Sequence, residues 1–316
     1  MSDQAQPSAR ARWPLVSVLI PAFNHARFVQ RCLDSVLEDP YPSKEIVIVD
    51  DGSSDATAEK IAQWVAMHGD RLPVQFVRRE NRGVAATLNE LALRANGEYL
   101  RLGASDDYLL AGGLDAQVRY LRGHPQALAV IGDACVVDPD GQLLHASAMR
   151  DLHGVDVDLY RSTSTIARAV IRHWAVSGAV AMLRRSAFDV RNGWDESLRI
   201  EDWDFFLRLA ARNALGFIDM PVCAYRLHGS NLSKTADVAS RIANLDESRQ
   251  VALRCVALFD EPERTLLRAQ ARYIAAKVAF LRRRPHHVVG HLAAFAWLSS
   301  PFSRRAGSVR GASEPA

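Results

Sequence analysis

The sequence predicts an α/β fold in which a mostly parallel sheet is flanked by helices and followed by a C-terminal helical appendage. Three observations predict it. Short β-branched runs alternate with helical patterns over the first hundred or so residues. These runs are apolar almost throughout, as strands covered on both faces must be. Beyond Asp237 the chain turns Ala/Arg-rich and helical.

The strand candidates are "LVSVLI" (Leu15 to Ile20), "EIVIVD" (Glu45 to Asp50), "VQFVR" (Val74 to Arg78) and "EYLRL" (Glu98 to Leu102). Between them, "HARFVQRCLDSVLED", "DATAEKIAQWVAMHGD" and "GVAATLNELALRANG" carry apolar residues at i, i+3 and i+4, with Gly69 and Gly97 placed as C-terminal caps. A βαβαβαβ chain of this kind closes with right-handed crossovers and binds ligands at the carboxyl ends of its strands. "VIGDACVVDPDGQLLH" reads as a hairpin on an Asp-Gly turn. "GAVAMLRRSAF", "EDWDFFLRLAARN" and "GFIDMPVCAYRLHGS" read as a mixed second half of the same sheet, with Phe205, Phe206 and Leu209 as core. The expected organisation is a disordered segment over 1–13, an α/β domain over 14–236, helices over 237–302 and a disordered tail over 303–316.

The 316 residues, 48% hydrophobic and 24% charged, can bury a sizeable core, and a net charge of +3 is too mild to argue for nucleic acid as a partner. Cys32, Cys135, Cys223 and Cys255 have no metal-finger spacing and read as reduced, buried core filler, which favours a cytoplasmic location. "LVSVLIPAF" is too short for a signal-peptide core, and no stretch approaches the roughly 20 apolar residues of a spanning helix. Arg282 to Arg284 with "HHVVGHLAAFAWL" could either cap the α/β domain or lie on an anionic membrane surface, peripherally at the inner face.

Four loops should meet at one sheet edge: "PAFN" after the first strand, "DDGSSD" after the second, "ENRG" after the third and "ASDD" after the fourth. Ser54 and Asp55 are explained as helix caps. Asp50 and Asp51 are not, because two carboxylates at a strand end repel unless a donor or cation faces them. "PAFNHARF" has neither the GxGxxG of a dinucleotide-binding turn nor a Gly-rich basic phosphate loop, and no lysine completes a phosphoacceptor site.

Read in order, "SVLIPAFN", "EIVIVDDGSSD", "ENRGVAATLN", "GEYLRLGASDD", "RRSAFDVRNGWDE", "EDWDFFLRL" and "YRLHGSN" resemble the family 2 glycosyltransferases of the GT-A type, a Rossmann-like fold, over roughly Val16 to Ser233. The resemblance implies an inverting enzyme that moves a sugar from a nucleotide-diphospho-sugar to an acceptor hydroxyl, commonly in cell-surface polysaccharide or glycan assembly. It implies that Pro21, Ala22, Phe23 and Asn24 line the nucleotide pocket. Asp51 would accept a base N–H, which favours a UDP-sugar, with Asp50 beside it. Asn81, Gly83 and Ser105 would complete the nucleotide set, and Arg82 could face nucleotide or sugar. The acceptor would be a glycan or a lipid-linked saccharide.

Charge growing on the leaving diphosphate calls for Mn²⁺ or Mg²⁺. Where the family has Asp-x-Asp this chain has Ala104, so the resemblance gives Asp106 as the first metal ligand, Asp107 as a second candidate ligand, and His228 as a residue near the diphosphate or on the metal. Arg226 could pair with phosphate or be a surface charge. Asp202, flanked by Glu201 at a helix start, matches the acceptor-activating base, and Trp194 or Trp203 could offer a face to a sugar ring. Two alternatives stay open: a non-catalytic nucleotide-sugar-binding relative whose metal motif has decayed at Ala104, and a retaining transferase on the same fold.

Overall fold

The structure is a computed structural model that describes residues 13–172, 174, 178–188, 193–229 and 237–300. The expected disorder over 1–12 and 303–316 falls outside these residues. Trp13, expected in the disordered segment, packs edge-on against Tyr41 with ring centroids 5.4 Å apart.

In chain order the elements are β1 (Val16–Ala22), α1 (Val29–Glu38), β2 (Lys44–Asp50), α2 (Thr57–His68), β3 (Val74–Arg78), α3 (Val84–Arg94), β4 (Tyr99–Leu102), β5 (Tyr108–Leu109), α4 (Gly113–Gly123), β6 (Ala129–Val137) and β7 (Leu143–His145). They continue with α5 (Ile166–Arg172), β8 (Ala181–Arg184), α6 (Glu201–Ala211), β9 (Leu215–Arg226), α7 (Val238–Cys255), α8 (Glu263–Leu281) and α9 (Pro285–Ser299). The strands form one sheet in the order β3-β2-β1-β4-β8-β6-β9-β5, with β7 paired to β6. The β3-β2-β1-β4 half is parallel, as its helical crossovers require. The second half is mixed, with β8 antiparallel to both β4 and β6, and β9 parallel to β6. The hairpin on the Asp-Gly turn is present as β6–β7, with Gly141 at φ +88°.

Strand periodicity builds a core on each face. Ile46 and Ile48 of β2 meet Val29, Leu33, Ile61 and Trp64 on one side. Val47 and Val49 join Leu88, Leu91, Leu183 and Phe206 on the other. The C-terminal helices divide in the same terms. Val251 and Cys255 of α7 and Leu267 and Ile274 of α8 share the core that contains Phe205, Phe206 and Leu209. Helix α9 packs on α8, with Tyr273 and Phe295 centroids 5.4 Å apart, yet buries none of its own residues.

Two local expectations need correction. Helix α1 starts only at Val29, because Asn24 takes a left-handed φ of +54° and the amides of His25 and Ala26 are bound by Thr57 Oγ1 and Asp55 Oδ2 at 2.8 and 3.0 Å. His25 is thereby drawn out of the helix into the sheet-edge loop. Gly97 is not a helix cap, since Ala95 closes α3. A Cβ at Gly97 would lie 2.6 Å from the Ser17 amide nitrogen, so close approach to β1 requires the glycine. All four cysteines are free; Cys32, Cys223 and Cys255 are buried as expected, whereas Cys135 is half-buried.

Candidate active site

The carboxyl ends of β1, β2, β3 and β4 bring the four expected loops together. After β1, Pro21 and Ala22 are held in register with Val49 and Asp50 of β2. Phe23 then projects with 45% of its surface exposed, an aromatic face available to a base. Asn24 joins the next loop: its amide donates to Ser53 Oγ at 2.9 Å and its Oδ1 accepts from the Ser54 amide at 2.8 Å.

The Asp50–Asp51 pair splits by strand alternation. Asp50 is fully buried and its Oδ1 accepts the Ser53 amide at 3.0 Å, so it shapes the turn and does not reach a nucleotide. Asp51 is also buried, and the protein's own donors surround it: the Arg82 and Gly83 amides at 2.8 and 2.9 Å, and the Arg79 guanidinium. Asn81 Nδ2 donates to the Asp51 carbonyl at 2.8 Å. Gly52, at φ +78°, allows this closure, since a Cβ there would stand 2.7 Å from the Asn81 nitrogen. The carboxylate therefore sits at the N-terminus of α3, where its charge complements the helix dipole.

The second pair splits as well. Asp107 turns inward, where its Oδ1 accepts the Arg226 amide at 2.8 Å, so the expectation of Asp107 as a metal ligand is not met. Burial, and then the Asp106 charge, push its carboxyl well above the usual carboxylate range. Arg226 is neither a surface charge nor a phosphate clamp: it is buried, with Nε on the Asp106 carbonyl at 2.9 Å and Nη1 on the Asp138 and Pro139 carbonyls at 3.1 Å. It fixes the loop that carries Asp106.

Asp106 points the other way. His228 Nε2 lies 2.9 Å from its Oδ2, and His25 Nε2 lies 3.7 Å from the same atom. One ligand atom from each of His25, Asp106 and His228 falls within 4.8 Å of the others, a grouping that could hold a metal ion. Burial alone would raise the Asp106 carboxyl, but the His228 hydrogen bond and the His25 ring outweigh it and its pKa is lowered. Burial lowers His25 despite the neighbouring carboxylate. Ser105, expected at the nucleotide, is buried and bonded through Oγ to His25 Nδ1 at 2.8 Å. His25 was missed in the sequence because a lone histidine after "PAFN" reads as part of a helix; the signal available was its place at a strand's carboxyl end.

The second acidic element stands at the start of α6. Asp202 Oδ2 accepts the Gly178 amide at 3.0 Å, and a Cβ on Gly178 would lie 2.9 Å from Asp202 Oδ1. Burial raises the Asp202 carboxyl to about 6, against the opposing hydrogen bonds from Gly178 and Glu201. Glu201 is buried and pushed well above its ordinary value, first by burial and then by the Asp202 charge. The two carboxyls titrate as a pair, each raised by burial, and the charge on one opposes ionisation of the other. Trp194 and Trp203 do not present faces to a sugar: Trp194 stacks on Phe205 at 4.6 Å and Trp203 Nε1 donates to the Val170 carbonyl at 3.0 Å, both inside the core. Arg101, another residue the sequence reading missed, is fully buried in β4 and bonds the carbonyls of Leu102 and Ala179. It ties the strand that leads to Asp106 to the segment that holds Asp202.

This arrangement, a histidine-flanked carboxylate and a separate basic carboxylate along one sheet edge, coincides with a sequence match. The profile of "Glycosyl transferase family 2" matches residues 17–191. The chain belongs to glycosyl transferase family 2. The match runs from β1 through β8 and includes Asp51, Asp106 and Gly178.

Among curated relatives, chondroitin synthase of Pasteurella multocida (strain Pm70) is 29% identical over 241 residues, covering 76% of this chain and 22% of that protein. Hyaluronan synthase of Pasteurella multocida is 30% identical over 224 residues, covering 70% and 21%. The chain thus spans about a fifth of the length of these two synthases. An uncharacterized protein of Mycobacterium tuberculosis (strain CDC 1551 / Oshkosh) is 30% identical over 246 residues, covering 75% of this chain and 74% of its own.

Among solved structures, the mannosyltransferase PcManGT from Pyrobaculum calidifontis, in complex with GDP-Man and Mn²⁺, superposes with a TM-score of 0.62 at 25% identity, covering 96% of this chain and 80% of that one. TarS 1–349 of S. aureus, in complex with UDP-GlcNAc, shares the fold with a TM-score of 0.62 at 16% identity, covering 87% and 88%. The fold is that of the GT-A glycosyltransferases: a mostly parallel sheet flanked by helices.

Proposed function

We propose that the chain catalyses inverting transfer of a sugar from a nucleotide-diphospho-sugar, with a UDP-sugar favoured, to the hydroxyl of a glycan or lipid-linked acceptor in cell-surface polysaccharide assembly. The observation that carries this reading is the raised Asp202 carboxylate, bound by the Gly178 amide just before β8, together with the Asp106 and His228 pair beyond β4, the strand paired with β8. In the step we infer, Asp202 takes the proton of the acceptor hydroxyl. The acceptor oxygen then bonds to the anomeric carbon from the face opposite the diphosphate, and the bond from that carbon to the diphosphate oxygen breaks. A base titrating near 6 is charged at neutral pH and a stronger proton acceptor than an ordinary aspartate. Glu201 orients Asp202 through their hydrogen bond.

Asp51 is left one role toward the nucleotide, because Oδ2 takes a single hydrogen bond, from Gly83, and has a lone pair for a base N–H. Phe23, Ala22, Pro21 and Asn24 would wall that base, with Asn81 and Gly83 forming the loop beside it. The donor set at Asp106 fits a divalent ion, one carboxylate and neighbouring imidazoles suiting Mn²⁺ better than Mg²⁺. When bound, the ion supplies charge neutralisation at the leaving diphosphate. The alternative of a non-catalytic relative with a decayed metal motif is disfavoured by the joint presence of Asp106, His228 and a pKa-shifted Asp202. Asp202→Asn should lower kcat by about 10²- to 10⁴-fold while leaving UDP-sugar affinity near the wild-type value. A near-normal rate in that variant, or a product with retained anomeric configuration by NMR, would remove the inverting-base reading.

A lipid-linked acceptor is compatible with the C-terminal hairpin. Among the described residues no helix is long and apolar enough to cross a membrane. Helix α9 nevertheless exposes Val289 at 68% and Trp297 at 61%, beside Phe280 at 70%, and no acidic residue lies between Arg282 and Ser300. We propose that this face rests on an anionic bilayer surface. Vesicles containing phosphatidylglycerol should carry the protein in flotation, and Val289→Glu with Trp297→Glu should abolish this. Equal flotation of the variant would remove the contact.

A further inference from the structure

We propose that His25 is a third metal-binding side chain that replaces the carboxylate missing at Ala104, and that its imidazole biases the site toward first-row transition ions over Mg²⁺. The inference rests on the metal-dependent reading above and concerns which residue completes the site and which ion it selects.

Ala104 offers no ligand atom, and the Asp106 loop approaches a cation with one carboxylate only. A second donor comes from another strand end, where His25 faces Asp106. The left-handed Asn24 turns the chain after β1, and the Thr57 hydroxyl and Asp55 carboxylate at the start of α2 hold the His25 and Ala26 amides. The ring is then fixed from behind: Nδ1 is 2.8 Å from Ser105 Oγ, the residue between Ala104 and Asp106. With Nδ1–H donating to that oxygen, the lone pair is on Nε2, which faces Asp106 Oδ2 at 3.7 Å. A histidine ligand whose other nitrogen is bound in this way is the usual arrangement for fixing the tautomer of a metal-binding ring.

The distances suit one ion. Ligand atoms about 2.1 Å from a metal and at right angles to one another lie about 3 Å apart. Here the separations from Asp106 Oδ2 are 2.9 Å to His228 and 3.7 Å to His25. A carboxylate with two imidazoles forms the facial set used for open-sided transition-metal sites and leaves positions for oxygen ligands such as those of a diphosphate. Nitrogen donors also discriminate. Mg²⁺ favours oxygen and retains its water, whereas Mn²⁺ and Co²⁺ accept imidazole readily. An imidazole at position 25, in a chain that has Ala at position 104, thus adds a nitrogen donor to the site and shifts the ion it favours.

The test uses the full chain with UDP and Mn²⁺, Mg²⁺ competition and pulsed EPR of the bound Mn²⁺. Wild type should show nitrogen couplings from two imidazoles and prefer Mn²⁺ over Mg²⁺ by at least about 10²-fold. His25→Ala should lose one set of couplings, weaken Mn²⁺ by about 10- to 100-fold, and bring the two ions closer in affinity. His25→Asp, which keeps the same backbone anchors, should recover affinity with the preference moved toward Mg²⁺. If His25→Ala retains both couplings and binds Mn²⁺ within twofold of wild type, His25 is not a ligand. Asp106→Ala separates the two levels: loss of Mn²⁺ there with an indifferent His25→Ala overturns only the third ligand, whereas intact Mn²⁺ binding in both variants removes the metal site itself.

Discussion

Two Asp-Asp pairs, Asp50–Asp51 and Asp106–Asp107, stand at and beyond the carboxyl ends of β2 and β4, on either side of β1, and the structure surrounds them with different groups. In each pair one carboxylate turns inward to bind a backbone amide, Asp50 to Ser53 and Asp107 to Arg226. The outward member differs. Asp51 is met by protein donors, two amides and a guanidinium, and closes the loop before α3. Asp106 is met by two imidazoles, which can present lone pairs to a shared cation. The groups that face a carboxylate, more than its position in an acidic doublet, set what it can still bind.

The largest expected break in this comparison is at Asp106. Asp106→Ala should cost at least about 10²-fold in kcat with Mn²⁺ and should weaken metal-dependent nucleotide binding. Asp107→Asn keeps the Oδ1 acceptor for the Arg226 amide and should leave Mn²⁺ affinity within about twofold. Comparable losses in the two variants, read by calorimetry with UDP and Mn²⁺, would show that the pair acts as one site.

The sequence carried the parallel half of the fold because each strand there is a continuous apolar run and each helix a periodic one. It carried the acids because they stand at strand ends in a recognisable order. It could not distinguish Asp106 from Asp107, since their burial depends on Arg226, which lies far along the chain in β9. Nor could it separate Trp194 from a sugar platform, because its partner Phe205 belongs to another element. His25 was hidden for a local reason: a single left-handed residue, Asn24, five positions before α1 begins at Val29, turns the chain and keeps His25 out of the helix.

A smaller effect is expected at Asp51, and on stability more than on chemistry. Asp51→Ala would leave the Arg82 and Gly83 amides without their acceptor, while Arg79 keeps its ion pair with Glu90, at a cost of about 2 kcal/mol. Urea denaturation should show this fall, while Asp106→Ala should fold at least as stably as wild type. A marginal loss at Asp51 would mean that its protein donors are easily given up, and that the loop opens to a nucleotide more readily than its hydrogen bonds suggest.

The third acidic pair supplies the smallest and most discriminating change. Asp202 carries its charge at a cost to folding, because burial raises its carboxyl to about 6 from an ordinary value near 4. For a carboxyl raised on folding, that cost is absent below the unfolded value, grows between about 4 and 6, and is complete above about 6. Asp202→Asn removes the charge and keeps an oxygen for the Gly178 amide. It should therefore match wild type in stability near pH 4 and exceed it by on the order of 1–3 kcal/mol at pH 7. Thermal denaturation at the two pH values measures the difference. The wild-type rate should rise through the same pH window as Asp202 becomes charged, which ties the lost stability to the gained basicity. A variant equally stable at both pH values would mean that Asp202 is solvated like a surface acid, and the chemistry would then have to find its base elsewhere on the sheet edge.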